Sequence, residues 1–217
     1  MYVQKEYKTV LQEAIAEHEE KKSRFIATVR PVTTEEQAVE FINGLRSKYW
    51  DATHNVYAYS IGGETSVQRF SDDGEPSGTA GLPMLEVIKR RGVQDVAVVV
   101  TRYFGGTLLG AAGLIRAYGK GAVLGLEAAG IITRRLCAEV KIIVEYTLFG
   151  KVQNLLLTEG YPVKETVYEQ DVEITVYVDV DHVDRFIESM TEATNARCIL
   201  AVEGKSYVTL SEEGKLL

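Results

Sequence analysis

The apolar positions of this chain switch between a period of two and a period of 3.6, and that alternation sets out most of its elements. Arg24–Arg30 alternates around β-branched residues and predicts a strand with one buried face. Thr33 followed three residues later by Glu36 has the form of a capping box. Behind it Ala38, Ile42, Leu45 and Tyr49 predict an amphipathic helix over 34–49. His54–Ser60 and Ser66–Phe70 read as two strands of a hairpin around the turn Gly62-Gly63. Ser71–Pro83 holds too much Gly, Pro and Asp for regular structure and is predicted to be a loop of functional length. Leu85–Arg91 predicts a short helix stopped by Gly92, and Asp95–Thr101 is an apolar run suited to a fully buried strand. Arg102–Gly110 then breaks the strand, and a long helix is expected over 107–129, closed by Gly130. Along that helix Gly113, Ala117, Gly121 and Gly125 leave one side nearly smooth. Each glycine costs about 1 kcal/mol relative to alanine, so close packing of the helix onto a sheet is the simplest compensation.

Beyond Thr133-Arg134-Arg135 the pattern changes. Strands are predicted at 139–146, 163–168, 172–180 and 197–202, with helices at 148–158 and 184–193. The order βαββαβ is that of a ferredoxin-like split unit. The fold class is therefore α/β (α+β), in two domains, 1–135 and 136–217. Charge divides at the same place. Residues 1–135 carry 17 Lys and Arg against 16 Asp and Glu, a net +1, and residues 136–217 carry 7 against 15, a net −8. A phosphate backbone would be tolerated by the first part and repelled by the second, which places any nucleic-acid surface before about residue 135. No apolar run approaches the roughly 18 residues of a membrane helix, and the first twenty residues are polar and acidic. The expectation is a soluble cytoplasmic protein with no membrane partner. Cys137 and Cys198 form no CxxC pair, and reduced thiols are expected in that compartment, although a bridge between two C-terminal strands stays open.

Candidate chemistry concentrates in the first part. Gly105, Gly106 and Thr107, placed before a helix, suggest an anion site built from free N–H groups, with Arg102 adding a full charge; the alternative is that the glycines only turn the chain. A phosphate-binding P-loop is excluded, because Gly113 and Gly119-Lys120 have the wrong spacing and no Ser or Thr follows the lysine. Asp72, Asp73 and Glu75 put three carboxylates in one loop, a set for a divalent cation or an activated water, or else an exposed acidic turn. His18, His54 and His182 are scattered, with no zinc pair, and the only hydroxyl–histidine set is Ser71, Ser77 and Thr79 with His54. Lys21, Lys22, Arg24, Lys89, Arg90, Arg91, Arg102, Arg116 and Lys120 accompany the aromatics Phe25, Tyr103, Phe104 and Tyr118, a combination that suits RNA. Trp50 and Tyr49 read as core or rim residues.

Four ordered blocks, KKSRFIA at 21–27, HNVYAY at 54–59, FSDDGEPSGTAGLP at 70–83 and VTRYFGGTLLGAAGLIR at 100–116, resemble the successive signatures of the IMPACT family. With the ferredoxin-like second part, the resemblance to the bacterial branch extends over almost the whole chain. It implies a first domain similar to domain IV of elongation factor G and a second similar to domain V, modules that meet RNA and the ribosome. It also implies a link to regulation of translation, since eukaryotic members restrain a kinase acting on an initiation factor. It transfers no catalytic residue and no cofactor. The resulting expectation is a non-enzymatic binding protein whose partner is RNA or a ribosome- or translation-associated protein, without sequence readout of DNA. Its anion- or RNA-binding residues would be Lys22, Arg24, Ser77, Thr79, Arg102, Tyr103, Gly105, Gly106 and Thr107. The alternative is a metal-dependent, peptidase-like hydrolase using the Asp72–Glu75 loop.

Overall fold

The computed structural model describes residues 4–62, 66–211 and 215–217. In chain order the elements are β1 (Glu6–Val10), β2 (Ala14–Glu20), β3 (Ser23–Pro31), α1 (Glu35–Lys48), β4 (His54–Ile61), β5 (Val67–Ser71), α2 (Gly81–Arg91), β6 (Val96–Tyr103) and α3 (Ala111–Ala129). They continue with β7 (Ile131–Val144), α4 (Tyr146–Glu159), β8 (Val163–Tyr168), β9 (Val172–Asp179), α5 (Val183–Thr194) and β10 (Cys198–Leu210). The chain forms two compact units, Met1–Thr133 and Arg134–Leu217. The division falls inside β7, so an unbroken strand carries the chain from one unit to the next rather than a polar linker.

In the first unit the sheet order is β2-β3-β6-β4-β5, and every pairing is antiparallel. β6 is its centre and is buried on both faces. Val96, Val98 and Val100 join the cluster under α2 and α3, with Phe25, Met84, Ile88, Tyr118 and Leu126. Ala97 and Val99 join the cluster under α1, with Phe41, Ile42, Leu45 and Tyr59. This explains the unbroken apolar run: helices cover both faces, so neither side of the strand meets water. The smooth side of α3 lies on the sheet as its spacing predicted. A Cβ added at Gly125 would stand 2.7 Å from Val29 Cγ2 and 3.2 Å from Ala27 Cβ. The sheet therefore approaches the helix backbone at a distance that only glycine permits.

Several boundaries move for physical reasons. β1 and β2 fall in a segment whose polar composition gave no strand signal; β2 is an edge strand, and its sequence AIAEHEE faces solvent along much of its length. The cap of α1 sits one residue later than the Thr33–Glu36 pattern. Thr34 Oγ1 accepts from Gln37 N at 3.3 Å, and Gln37 Oε1 reaches back to Thr33 N at 2.8 Å. α2 begins four residues before the predicted start, because the Asp72 carboxylate accepts from Ala80 N at 3.1 Å and Gly81 N at 2.8 Å across the loop. α3 begins at Ala111 with Gly110 as its cap, so Gly105, Gly106 and Thr107 precede the helix rather than open it. Of the turn Gly62-Gly63, Gly63 lies outside the described residues.

The second unit has the βαββαβ order in the arrangement β10-β7-β9-β8, with β7 antiparallel to β9 and β8 antiparallel to β9. Alternate residues Ala138, Val140, Ile142 and Val144 of β7 and Val172, Ile174, Val176 and Val178 of β9 face Leu148, Val152, Phe186 and Met190 of the two helices. This is the period of two written out as a core. Both cysteines are free thiols, and burial pushes Cys137 up to about 11, which keeps it protonated at neutral pH.

Gly119 on α3 has open space where a Cβ would stand, so Gly119→Ala should stabilise the protein by up to about 1 kcal/mol in urea unfolding. Gly125→Ala should instead destabilise it, because about 1–3 kcal/mol of overpacking outweighs the helical gain. His18 stacks on Phe25 at 5.0 Å, and burial, then Lys120, lowers its pKa below 6.5. A depressed folded value means that the neutral ring's contribution is complete above the unfolded value of 6.5 and is lost as pH falls through the folded one. The urea midpoint of His18→Phe should therefore fall less than that of the wild type between about pH 7 and about pH 5.

Candidate functional site

β3 begins, β6 ends and β4 begins at the same end of the first sheet, as the register Arg24↔Tyr103 and His54↔Arg102 requires. The β2–β3 turn, the segment after α1, the loop after β5 and the loop after β6 all meet there. Their junction is built around a buried ion pair. Arg102 Nη1 donates to Glu75 Oε1 at 2.5 Å, and the two side chains are only 6% and 4% exposed. The same oxygen accepts from Tyr118 Oη of α3 at 2.7 Å. Burial, and then this hydrogen bond to a carboxylate, pushes the Tyr118 pKa well above that of a free phenol. Arg102 Cζ lies 5.6 Å from the centre of the Phe25 ring and 5.6 Å from that of Phe104.

The remaining acids of the loop turn elsewhere. Asp72 accepts from Gly78 N at 2.9 Å as well as from the two amides that open α2. Asp73 accepts from Arg46 at 2.8 Å and from Asn55 N at 2.6 Å. The three carboxylates thus point to three different partners, and among the described residues no group of three or more His, Cys, Asp or Glu is placed to hold a metal ion. His54 Nδ1 lies 2.7 Å from the Asp73 carbonyl oxygen. A carbonyl only accepts, so that nitrogen carries the proton in the neutral ring and Nε2 keeps its lone pair. Nε2 stands 3.9 Å from Glu75 Oε2. Of the hydroxyls considered with His54, Thr79 donates to Pro76 O at 2.7 Å and Ser71 accepts from Asp73 N at 3.2 Å.

The residues of the anion site expected from spacing stand in different surroundings. Arg102 is a buried structural cation whose charge Glu75 already balances. Gly105 is required by packing, since a Cβ there would stand 2.0 Å from the Lys22 carbonyl carbon, and its N–H donates to Ser23 Oγ at 3.2 Å. Gly106 has φ +80°, and it is exposed together with Thr107. Thr79 is buried and Ser77 exposed. Arg24 is exposed but forms a two-point pair with Glu17, at 2.9 and 3.0 Å. Tyr103 Oη donates to Asp51 at 2.9 Å. Lys21 and Lys22, with φ +47° and +66°, form the tight β2–β3 turn, are exposed, and have no ion pair among the described residues. The structure therefore does bring Lys22, Arg24, Tyr103, Gly105 and Arg102 to one end of the sheet, and of these cations only Lys22, with Lys21 beside it, has no carboxylate partner among the described residues.

Exposed apolar side chains share that end. Phe104 is 46% exposed, Leu108 82% and Trp50 82%; Trp50 is a surface residue, not a core one. Phe104 N donates to Thr53 Oγ1 at 3.0 Å and Thr53 N to Arg102 O at 2.9 Å, which fastens the segment carrying Trp50 beside β6. A cavity of about 390 Å³ opens here, with Glu75, Arg102 and His54 on its polar side and Phe104, Leu109 and Leu114 on its apolar side. Spacing could not announce it, because its walls come from segments far apart in the chain, from Thr53 to Leu114.

The fold and this site define a two-unit, mixed α/β protein whose first unit carries a loop-built cleft over an internally neutralised ion pair. The Impact N-terminal domain matches residues 21–126, and a domain of unknown function (DUF1949) matches residues 142–197. The chain is 48% identical over 176 residues to the IMPACT family member YvyE of Bacillus subtilis, covering 81% of each protein. It is 38% identical over 138 residues to YigZ of Escherichia coli, covering 63% of this chain and 68% of that one. A crystal structure described as that of a hypothetical protein is 29% identical, with a TM-score of 0.59 over 93% of this chain and 98% of that one. The chain belongs to the IMPACT family.

Removing one member of a buried ion pair strands the other charge. Arg102→Ala should cost about 3–5 kcal/mol in urea unfolding. Arg24→Ala, at an exposed pair, should cost less than about 1 kcal/mol. Similar losses for the two variants would show that the Arg102–Glu75 pair is not a structural keystone.

Proposed function

We propose that this protein is a non-enzymatic, cytoplasmic binding protein acting on translation, and that it holds single-stranded RNA at the loop-bearing end of its first unit. One observation carries the reading: two unpaired lysines, Lys21 and Lys22, share that end with exposed Trp50 and Phe104 and half-buried Tyr103. Cations that track a phosphate backbone beside aromatic faces on which bases stack are the two ingredients of single-strand binding. The charge balance supports the same choice, since the net −8 of residues 136–217 disfavours a phosphate ligand there. Family membership adds the connection to translation that the resemblance implies. The hydrolase alternative is weakened by the inward pairing of Asp72, Asp73 and Glu75, which leaves no converging carboxylates to activate a water.

Fluorescence anisotropy with labelled single-stranded RNA, together with co-sedimentation with ribosomes, tests the reading. The double variant Lys21→Glu, Lys22→Glu should bind more weakly. For two lost contacts, the slope of log K against log salt should shrink by about 1.4. Phe104→Ala should lose about 1–3 kcal/mol of binding from lost stacking. Arg185→Ala, in the acidic second unit, should change neither quantity. Unchanged affinity and salt slope in the double lysine variant would remove the loop-bearing end from consideration as the RNA surface.

A further inference from the structure

The outer side of α2 and α3 carries features that the packing of the first unit does not use. The two helices cover the same face of the sheet. They run side by side in one direction, since Arg91 Nη2 at the end of α2 pairs with Glu127 Oε1 near the end of α3 at 2.7 Å. The valley between them is a groove of about 510 Å³. Leu82 and Val87 line it from α2, and Ile115 and Val123 from α3; Leu82 is 38% exposed and Ile115 44%. Gly119 stands between Ile115 and Val123 on that side of α3. A Cβ there would meet no atom within 4 Å, whereas one at Gly125 would strike Val29. The sheet thus accounts for Gly125 but not for Gly119, although a glycine inside a helix costs stability relative to alanine. Arg90, Arg116 and Lys120 border the same groove, are exposed, and have no carboxylate partner among the described residues. Glu86, also in the wall, is held by Lys89 at 3.2 Å.

We propose that this groove docks an acidic amphipathic helix of a partner protein. An apolar strip laid over Leu82, Val87, Ile115 and Val123 would take side chains out of water, and acids on its flanks would meet Arg90, Arg116 and Lys120. The missing side chain at Gly119 lets the partner's backbone come close. An extended peptide would draw its affinity from main-chain hydrogen bonds with a sheet edge, but the walls here are helices whose amides and carbonyls are already paired. A nucleic-acid strand is disfavoured: among the described residues no aromatic side chain lines the groove to stack a base, and its apolar side chains offer a phosphate backbone nothing. α2 has 11 residues, so the footprint is about 16 Å long, or about three turns of a docked helix with anchors at i, i+4 and i+7. The groove shares no lining residue with the cavity beside Phe104, so docking here does not depend on RNA binding there.

The test uses the full chain and a labelled, helix-forming peptide of about twelve residues with leucines at i, i+4 and i+7 and glutamates on both flanks. A peptide of the same composition in scrambled order and one with lysines in place of the glutamates are the controls, with oligouridine as a nucleic-acid probe. In fluorescence anisotropy the acidic helix should bind at least about ten-fold tighter than either control. Arg116→Glu combined with Lys120→Glu should weaken it about ten-fold or more and remove most of its salt dependence. Gly119→Leu should weaken it as much while stability in urea holds or rises, a separation that a purely structural glycine would not give. Equal binding of the acidic and scrambled peptides reduces the groove to solvated charge and overturns the docking site, as does absence of binding at about 1 mM peptide. Binding of oligouridine that the double charge-reversal variant loses, without preference for the acidic helix, assigns the cations to nucleic acid and overturns it as well. A dimer in light scattering that Gly119→Leu dissociates makes a second copy the occupant and overturns the partner helix.

Discussion

Two opposite charges taken out of water must find each other, and in this protein the meeting of Arg102 with Glu75 is what the surrounding architecture is arranged to provide. Arg102 sits at the end of the central strand β6, so it is positioned by the most deeply buried element of the unit. Glu75 belongs to a loop with no regular structure, and it can be held only because its neighbours are tied as well. Asp72 opens α2, Asp73 binds Arg46 and the start of β4, and Tyr118 reaches down from α3 to the carboxylate. Sheet, loop and two helices therefore share one electrostatic junction. Loss of any tie would leave a buried charge or carboxylate partly unsatisfied.

The same arrangement determines what the surface offers. Because the acids of the Ser71–Pro83 loop are held by Arg102, Arg46 and backbone amides, they do not form an open acidic cluster at this end of the unit. Outward at this end stand Lys21 and Lys22, the neighbouring Glu19 and Glu20, the aromatic side chains Trp50, Tyr103 and Phe104, and the mouth of the cavity beside Phe104. Glycine makes the approach of the parts possible. Gly105 lets the loop after β6 pass against the β2–β3 turn, and Gly125 lets α3 press onto β3.

Much of this was legible in residue order because it depends on local period. The double-faced burial of β6, the smooth side of α3, the alternation in β7 and β9 and the βαββαβ order all follow from spacings of two or 3.6, which the chain carries wherever it goes. Edge strands carry a weaker record. β2 has only one neighbour, and the residues it turns inward, Ala14, Ala16 and His18, are small or polar, so its alternation carries little hydrophobic signal. The start of α2 was hidden for a related reason, since its cap is a carboxylate eight residues upstream of the first capped amide rather than the side chain next to it.

Residue order by itself determined the two-part division of pattern and charge, the elements of the cores and the segments in which chemistry could reside. Tertiary structure decided which of those charged groups are free. Arg102 and Lys22 are equally cationic in sequence, yet one is buried against Glu75 and the other stands in solvent on a tight turn. Trp50 reads as a core or rim residue from its place at a helix end, and the fold leaves it 82% exposed. The physical reason is the range of the forces involved. Hydrophobic periodicity is written within a few turns or strand residues, whereas ion pairing, cavity walls and exposure are properties of segments that meet only when the chain is folded.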